Sequence, residues 1–183
     1  HTICSKSAFF TGSTNNSTTW THTKSINTSA TIKFSTKQQS GGGILAAMQG
    51  WRNRGFGIFV NAVIFGSSAT DRDGMFGDGN IHEVTLTSGA KCYDNGSLIW
   101  SGTVSTFTTP ATLTICKSNV VSEAHEHSSA KIYSCQIYDN GSLVRDYVPC
   151  INSSGVAGLY DLVNGVFYQN AGTGTFAVGN IIE

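Results

Sequence analysis

The chain has 183 residues, 12% of them charged, and a formal net charge of zero. That balance excludes the basic footprint with which proteins hold nucleic acid or an anionic membrane, and no apolar run reaches the ~20 residues of a bilayer-crossing helix. The length suits a single domain, 1–183, with a core of its own, and the polar remainder of Ser, Thr, Asn and Gly suits strand faces and turns.

In chain order, residues 1–10 read as a linker or edge strand, followed by a Thr-rich stretch holding Trp20. Runs rich in β-branched and aromatic residues then recur at 30–34, 44–48, 57–65, 82–86, 98–101, 111–116, 131–138, 143–148, 157–162 and 166–169. Ser/Thr/Asn/Gly clusters separate them at 11–19, 38–43, 67–80 and 152–155. Short strands with regular turn signals predict an all-β fold, an antiparallel β-sandwich or jelly roll. No apolar repeat at helical period is sustained, so helix is limited to one turn near 122–127.

The hexapeptide Tyr-Asp-Asn-Gly-Ser-Leu occurs twice, at 93–98 and 138–143, and a third Asn-Gly stands at Asn164-Gly165. Asn-Gly between alternating apolar residues predicts a tight type I′ hairpin, because both central residues need φ > 0. With Asn140-Gly141 as the loop, Asp139 faces Ser142 and Cys135 faces Asp146. Tyr133, Cys135, Ile137, Val144, Asp146 and Val148 then share the inner face. Ile132, Ser134, Gln136, Tyr138, Leu143, Arg145 and Tyr147 share an amphipathic outer one. A one-residue slip exchanges the two sets.

Five cysteines (Cys4, Cys92, Cys116, Cys135 and Cys150) show no metal-ligand spacing. In the register above, Cys150 lies roughly 13 Å along the strand from the partner of Cys135, beyond the ~7 Å Cα limit of a disulfide. All five read as thiols, a set that suits a reducing compartment.

Trp51-Arg52-Asn53-Arg54, in the loop between 44–48 and 57–60, is the best candidate for a ligand site. An aromatic ring stacks on a sugar face while the amide and guanidinium groups satisfy hydroxyls. Trp20 is the second ring candidate, whereas Trp100 sits in a strand and reads as core. Asp71, Asp73 and Asp78, among flexible glycines, have the oxygen-rich composition that Ca²⁺ prefers, although no closing Glu follows as in an EF-hand. His125 and His127, in Glu123-Ala-His125-Glu126-His127, have chelating spacing but read as a solvated loop tip. No other cofactor is indicated.

The segment 131–176, KIYSCQIYDNGSLVRDYVPCINSSGVAGLYDLVNGVFYQNAGTGTF, resembles the C-terminal signature of laminin-G-like, concanavalin A-like lectin/glucanase jelly-roll domains. Such domains occur in phage tail proteins and in Gram-positive bacterial surface proteins. The carrying pieces are Lys131-Ile132-Tyr133-Ser134, residues 137–146, Val148-Pro149-Cys150, Gly158-Leu159-Tyr160-Asp161, Asn164-Gly165 with Phe167-Tyr168, and 170–176. A weaker likeness extends back through 55–59 and 85–100. The resemblance implies two curved antiparallel sheets packed face to face, contacting glycan or protein through a concave face or edge loops. It also implies a virion or bacterial cell-surface location, within a larger tail or surface assembly.

Some relatives of this fold are glucanases, which need two acids at a fixed separation. The glutamates here, Glu83, Glu123, Glu126 and Glu183, show no such spacing on an apolar strand. Asp146 and Asp161 read as binding turns or Arg145. The expected function is therefore a non-catalytic carbohydrate-binding or adhesion module that attaches to host-cell glycan or polysaccharide, with no nucleic-acid or membrane partner. A structural or oligomerisation spacer is the alternative, and a glycan hydrolase a remote one.

Overall fold

The computed structural model describes residues 4–6, 10–12, 18–20, 24–25, 28–39, 41–50, 53–71, 74–104, 107–109, 113–117, 128–170 and 176–180; at 4–25, 49–50, 53–54, 71, 108–109 and 178 it describes backbone alone. The strands run β1 (Cys4–Lys6), β2 (Phe10–Gly12), β3 (Thr18–Trp20), β4 (Lys24–Ser25), β5 (Thr28–Thr36), β6 (Gly43–Gly50) and β7 (Asn53–Phe59). They continue with β8 (Ala62–Gly66), β9 (Ser68–Asp71), β10 (His82–Leu86), β11 (Lys91–Asp94), β12 (Ser97–Ser101), β13 (Thr108–Thr109) and β14 (Leu113–Ile115). The last are β15 (Ala130–Asp139), β16 (Ser142–Asn152), β17 (Ala157–Asp161), β18 (Val166–Gln169) and β19 (Ala177–Val178). No helix occurs among the described residues, and every pairing is antiparallel. The expected turn at 122–127, with His125 and His127, lies outside the described residues.

The chain forms an antiparallel β-sandwich. One sheet runs β12-β11-β10-β5-β15-β16-β17-β18, with β1 on β16 and β2 between β15 and β19. The other runs β3-β14-β6-β7-β8-β9, and β4 and β13 make a small separate ladder. A single core joins the facing sides: Ala30, Ile32, Phe34, Val84, Ile132 and Ile137 of the large sheet meet Leu45, Phe56, Ile58, Val63 and Phe65 of the smaller one. Each Val, Leu, Ile or Phe among them contributes about 1.5–3 kcal/mol when fully buried.

The smaller sheet is apolar on both sides. Ala46, Met48, Phe59, Ala62 and Ile64 form a second buried cluster on its far face. Gly55 and Gly57 make that cluster fit: a Cβ on Gly55 would stand 2.8 Å from Met48 Cγ, and one on Gly57 2.7 Å from the Phe59 ring. Burial on both sides removes the apolar–polar alternation. Residues 57–65, expected as one strand, are therefore parts of β7 and β8, which reverse at Val60-Asn61 with Ile58 opposite Val63.

The two hexapeptide copies fold alike. Asn95 and Asn140 (φ 48° each) with Gly96 and Gly141 (φ 81° and 78°) make the expected positive-φ reversals. In each copy the Tyr pairs with the Leu, Tyr93 with Leu98 and Tyr138 with Leu143, and then the register shifts by one residue. Beyond the shift Ile137 faces Arg145 and Cys135 faces Tyr147, not Asp146. Arg145 and Tyr147 thus join Cys135 and Ile137 on the inner face, where Tyr147 is fully buried. A second shift between Ile132 and Ser134 puts Ile132 inside as well. The inner set read from the sequence is corrected accordingly: an extra residue flips every side chain beyond it. The third Asn-Gly is not a two-residue turn, since Asp161 pairs with Val166 and only Gly165 of the two has positive φ.

The all-thiol reading is also corrected. Cys92, Cys116 and Cys135 are buried thiols outside any disulfide, but Cys150 is disulfide-bonded. The end of β16 that carries it pairs with β1, the strand that holds Cys4.

Candidate functional site

Strand alternation gives the large sheet a polar outer face. Across β11, β10 and β5, Tyr93 stands opposite Thr85 and Thr85 opposite Thr31; across β15 and β16, Gln136 stands opposite Thr31 and Asp146. The neighbouring row holds Glu83, Lys33 and Ser134. Direct partners in an antiparallel pair share a face, so these side chains form one surface, and most are half-buried.

Hydrogen bonds hold this face in place. Thr31 Oγ1 lies 2.8 Å from Thr85 Oγ1, and Tyr138 donates its hydroxyl to Gln136 Oε1 at 3.3 Å. Gln136 Nε2 donates to Asp146 Oδ1 at 3.3 Å. Tyr133, in the bulge of β15, has its hydroxyl 3.2 Å from Ser35 Oγ.

At Ser35 the face runs into a cleft of about 250 Å³. Its described lining is Ser35, Thr36 and Lys37 at the end of β5, Ser129, Ala130 and Lys131 at the start of the neighbouring β15, and Gly79. The rim is stitched by its own polar groups. Thr36 donates Oγ1 to the Ser129 carbonyl at 2.7 Å, and Ser129 N donates to Gln38 Oε1 at 3.1 Å. Gly79 N donates to the Thr36 carbonyl at 2.8 Å.

The segment carrying Gly79 is pinned from the other side by His82. Its Nδ1 is 2.9 Å from Asp94 Oδ2 and its Nε2 is 3.0 Å from Asp78 Oδ1, while the ring packs on Phe34 and Phe76. Burial lowers the His82 pKa, but the hydrogen bonds and charges of Asp78 and Asp94 outweigh it, so the net shift is upward. Asp78 is held down to about 2, first by the Asn80 backbone N–H and then by His82. Burial, with Asp94 nearby, pushes the Cys92 thiol up to about 12, so it stays protonated and unreactive. Both imidazole nitrogens face carboxylates, which leaves none to take a proton from a nucleophile. The cluster is a clamp.

The candidates read from the sequence are only partly brought together. Trp51, Arg52 and Asp73 lie outside the described residues. Asn53 and Arg54 open β7 rather than continuing a loop, with Asn53 opposite Gly50. Trp20 is in β3 opposite Leu113, and Asp71 ends β9. Asp78 uses both carboxylate oxygens on Asn80 and His82. Among the described residues no group of three His, Cys, Asp or Glu side chains is placed to hold a metal ion. Trp100 packs on the core, as expected. Sequence reasoning missed His82, although its place two before Val84 and four before Leu86 marks it as inward-facing.

Compared with known protein families, curated proteins and solved structures, the chain matches none.

Proposed function

We propose that this chain is a non-catalytic carbohydrate-binding or adhesion module, the receptor-binding part of a phage tail or bacterial surface protein that attaches to host-cell glycan. The observation that carries the reading is the outer face of the large sheet. Tyr93, Tyr133 and Tyr138 offer rings, and Thr31, Thr85, Gln136 and Asp146 offer donors and acceptors already fixed by mutual hydrogen bonds. Rigid rings with a few placed polar groups are what a sugar needs, because little side-chain entropy is lost on binding. The likeness of 131–176 to laminin-G-like jelly-roll domains supports the same reading. So does the bonded Cys150, which suits an oxidising setting.

The test is a glycan array and a host-cell pull-down with the chain and with a Gln136→Ala/Tyr138→Ala variant. Binding by the chain and its loss in the variant are expected. A folded chain that retains neither sugar nor cells on any surface overturns the proposal.

A second reading, a structural or oligomerisation spacer, has an observation of its own. Leu143, Leu162, Val163 and Val166 are 37%, 48%, 45% and 42% exposed. They lie together at the tips of two hairpins joined by the Leu162 N–H to Asp146 carbonyl bond. Concentration-dependent assembly without glycan affinity, abolished by Val163→Asp, would favour it.

A further inference from the structure

We propose that Asn140 is a site of spontaneous covalent modification, where the folded chain converts a side-chain amide to aspartate and β-linked aspartate through a cyclic imide. The proposal is independent of the glycan-binding reading above. Asn-Gly pairs stand between paired strands of the large sheet at Asn95-Gly96, Asn140-Gly141 and Asn164-Gly165. The first two lie in the same hexapeptide and share φ 48° at the Asn, so their local sequence and backbone are matched. What differs is the setting of the side chain. Asn95 Oδ1 accepts the Glu83 N–H at 3.1 Å, which ties the amide to β10. Asn164 Nδ2 donates to Asp161 Oδ2 at 2.6 Å and to the Val144 carbonyl at 3.0 Å. The Gly165 N–H is itself given to the Asp161 carbonyl at 2.8 Å. The exposed Asn140 side chain makes no such bond among the described residues, and a Cβ on Gly141 would meet nothing within 4 Å.

Freedom at Asn140 decides because the reaction needs the side chain to swing onto the next peptide nitrogen. The Gly141 nitrogen attacks Asn140 Cγ, and an N–Cγ bond forms as the Cγ–Nδ2 bond breaks. Nδ2 leaves as ammonia, and the proton lost from the Gly141 nitrogen passes to it through solvent. Water then opens the imide at either carbonyl. Opening at Cγ gives ordinary aspartate, and opening at the backbone carbonyl gives the β-linked form. The net change is ammonia out and water in, with no electron transferred. A glycine nitrogen is the least hindered attacker, since no Cβ stands beside it. Each hydrogen bond that must first break slows the reaction by roughly twofold to tenfold. Both products place a new carboxylate beside Asp139. The β-linked one also adds a backbone carbon to the turn that sets Asp139 opposite Ser142 and Tyr138 opposite Leu143.

The test ages the full chain in mildly alkaline buffer, folded in one sample and unfolded in urea in another, and follows the peptides holding Asn95, Asn140 and Asn164 by mass spectrometry. In the folded chain, conversion at Asn140 is expected about twofold to tenfold faster than at Asn95 and about tenfold or more faster than at Asn164. An isoaspartyl methyltransferase should label the Asn140 peptide of the aged folded chain, which reports the β-linked product. In urea the matched Asn95 and Asn140 should react at equal rates, because the tie to Glu83 is gone. Equal rates at these two in the folded chain, or a faster reaction at Asn95, overturn the proposal. An excess at Asn140 that persists in urea overturns it too, because the fold then plays no part. So does a folded chain left unmodified at Asn140 while the unfolded one reacts.

Discussion

Asp161 has no exposed surface, yet both of its carboxylate oxygens are engaged. Oδ1 accepts from the backbone N–H of Asp146 at 3.1 Å and of Val163 at 3.0 Å. Oδ2 accepts from Asn164 Nδ2 at 2.6 Å and lies 3.6 Å from Arg145 Nε, an ionic contact rather than a hydrogen bond. One residue therefore shapes the turn between β17 and β18 and ties it to β16. The sequence reading of Asp161 as a turn binder or an Arg145 partner holds in both halves. Its depth of burial was not legible, because the bulge that brings Arg145 to the inner face leaves no mark in composition. Asp161→Ala leaves three donors unmet and a guanidinium without its anion. Removing one partner of a buried pair costs about 3–5 kcal/mol, so the urea midpoint should fall by that equivalent at unchanged slope. A loss below about 1 kcal/mol would show that water replaces the carboxylate freely.

Hairpin turns were legible because φ > 0 has a chemical signature, and Asn95-Gly96 and Asn140-Gly141 carry it. Register beyond the turns was not, since a bulge needs only a residue that tolerates being unpaired, and Ile99 and Val144 announce nothing of the kind. The loop of residues 74–80 shows the same limit. Its close approach to β5 is visible only in space: a Cβ on Gly77 would stand 1.9 Å from the Gln38 carbonyl oxygen. The His82 clamp gives this element a pH dependence. The folded-state pKa of His82 is raised above 6.5, so its stabilisation is fully present below pH 6.5 and is lost as pH rises through the raised value. That of Asp78 is lowered from 3.8 to about 2, so its stabilisation is present above pH 3.8 and is lost as pH falls toward 2. Asp94 and the protonated Cys92 are the other titratable groups facing the imidazole's side of the sheet. The gap in melting temperature between the wild type and His82→Gln should be widest between about pH 4 and 6.5 and narrow above it. A gap that stays constant from pH 5 to 9 would mean that His82 is held neutral.

At the scale of the whole molecule, the all-β sandwich was legible from strand-sized apolar runs and turn clusters, but its asymmetry was not. The large sheet alternates cleanly enough to separate a polar face from the core, and that face carries the proposed ligand surface. The smaller sheet buries both sides of its strands β6, β7 and β8, which therefore show no apolar–polar alternation that marks a face. Distance in sequence hid a second feature, the pairing of β1 with the far end of β16, with Ser5 opposite Ile151. No local pattern joins β1 to the end of β16, and a cross-link at Cys150 likewise escapes spacing arithmetic confined to one hairpin. A bond there stabilises by restricting the unfolded chain, and removing a native disulfide from a small domain costs roughly 2–5 kcal/mol. Alkylation of the denatured protein without reductant should label Cys92, Cys116 and Cys135 and spare Cys150, which becomes reactive only after reduction. Cys150→Ser should melt lower than wild type in oxidising buffer, and the two should converge when dithiothreitol is present. If Cys150 is alkylated without reductant, or reductant leaves the melting temperature of the wild type untouched, Cys150 carries no stabilising cross-link.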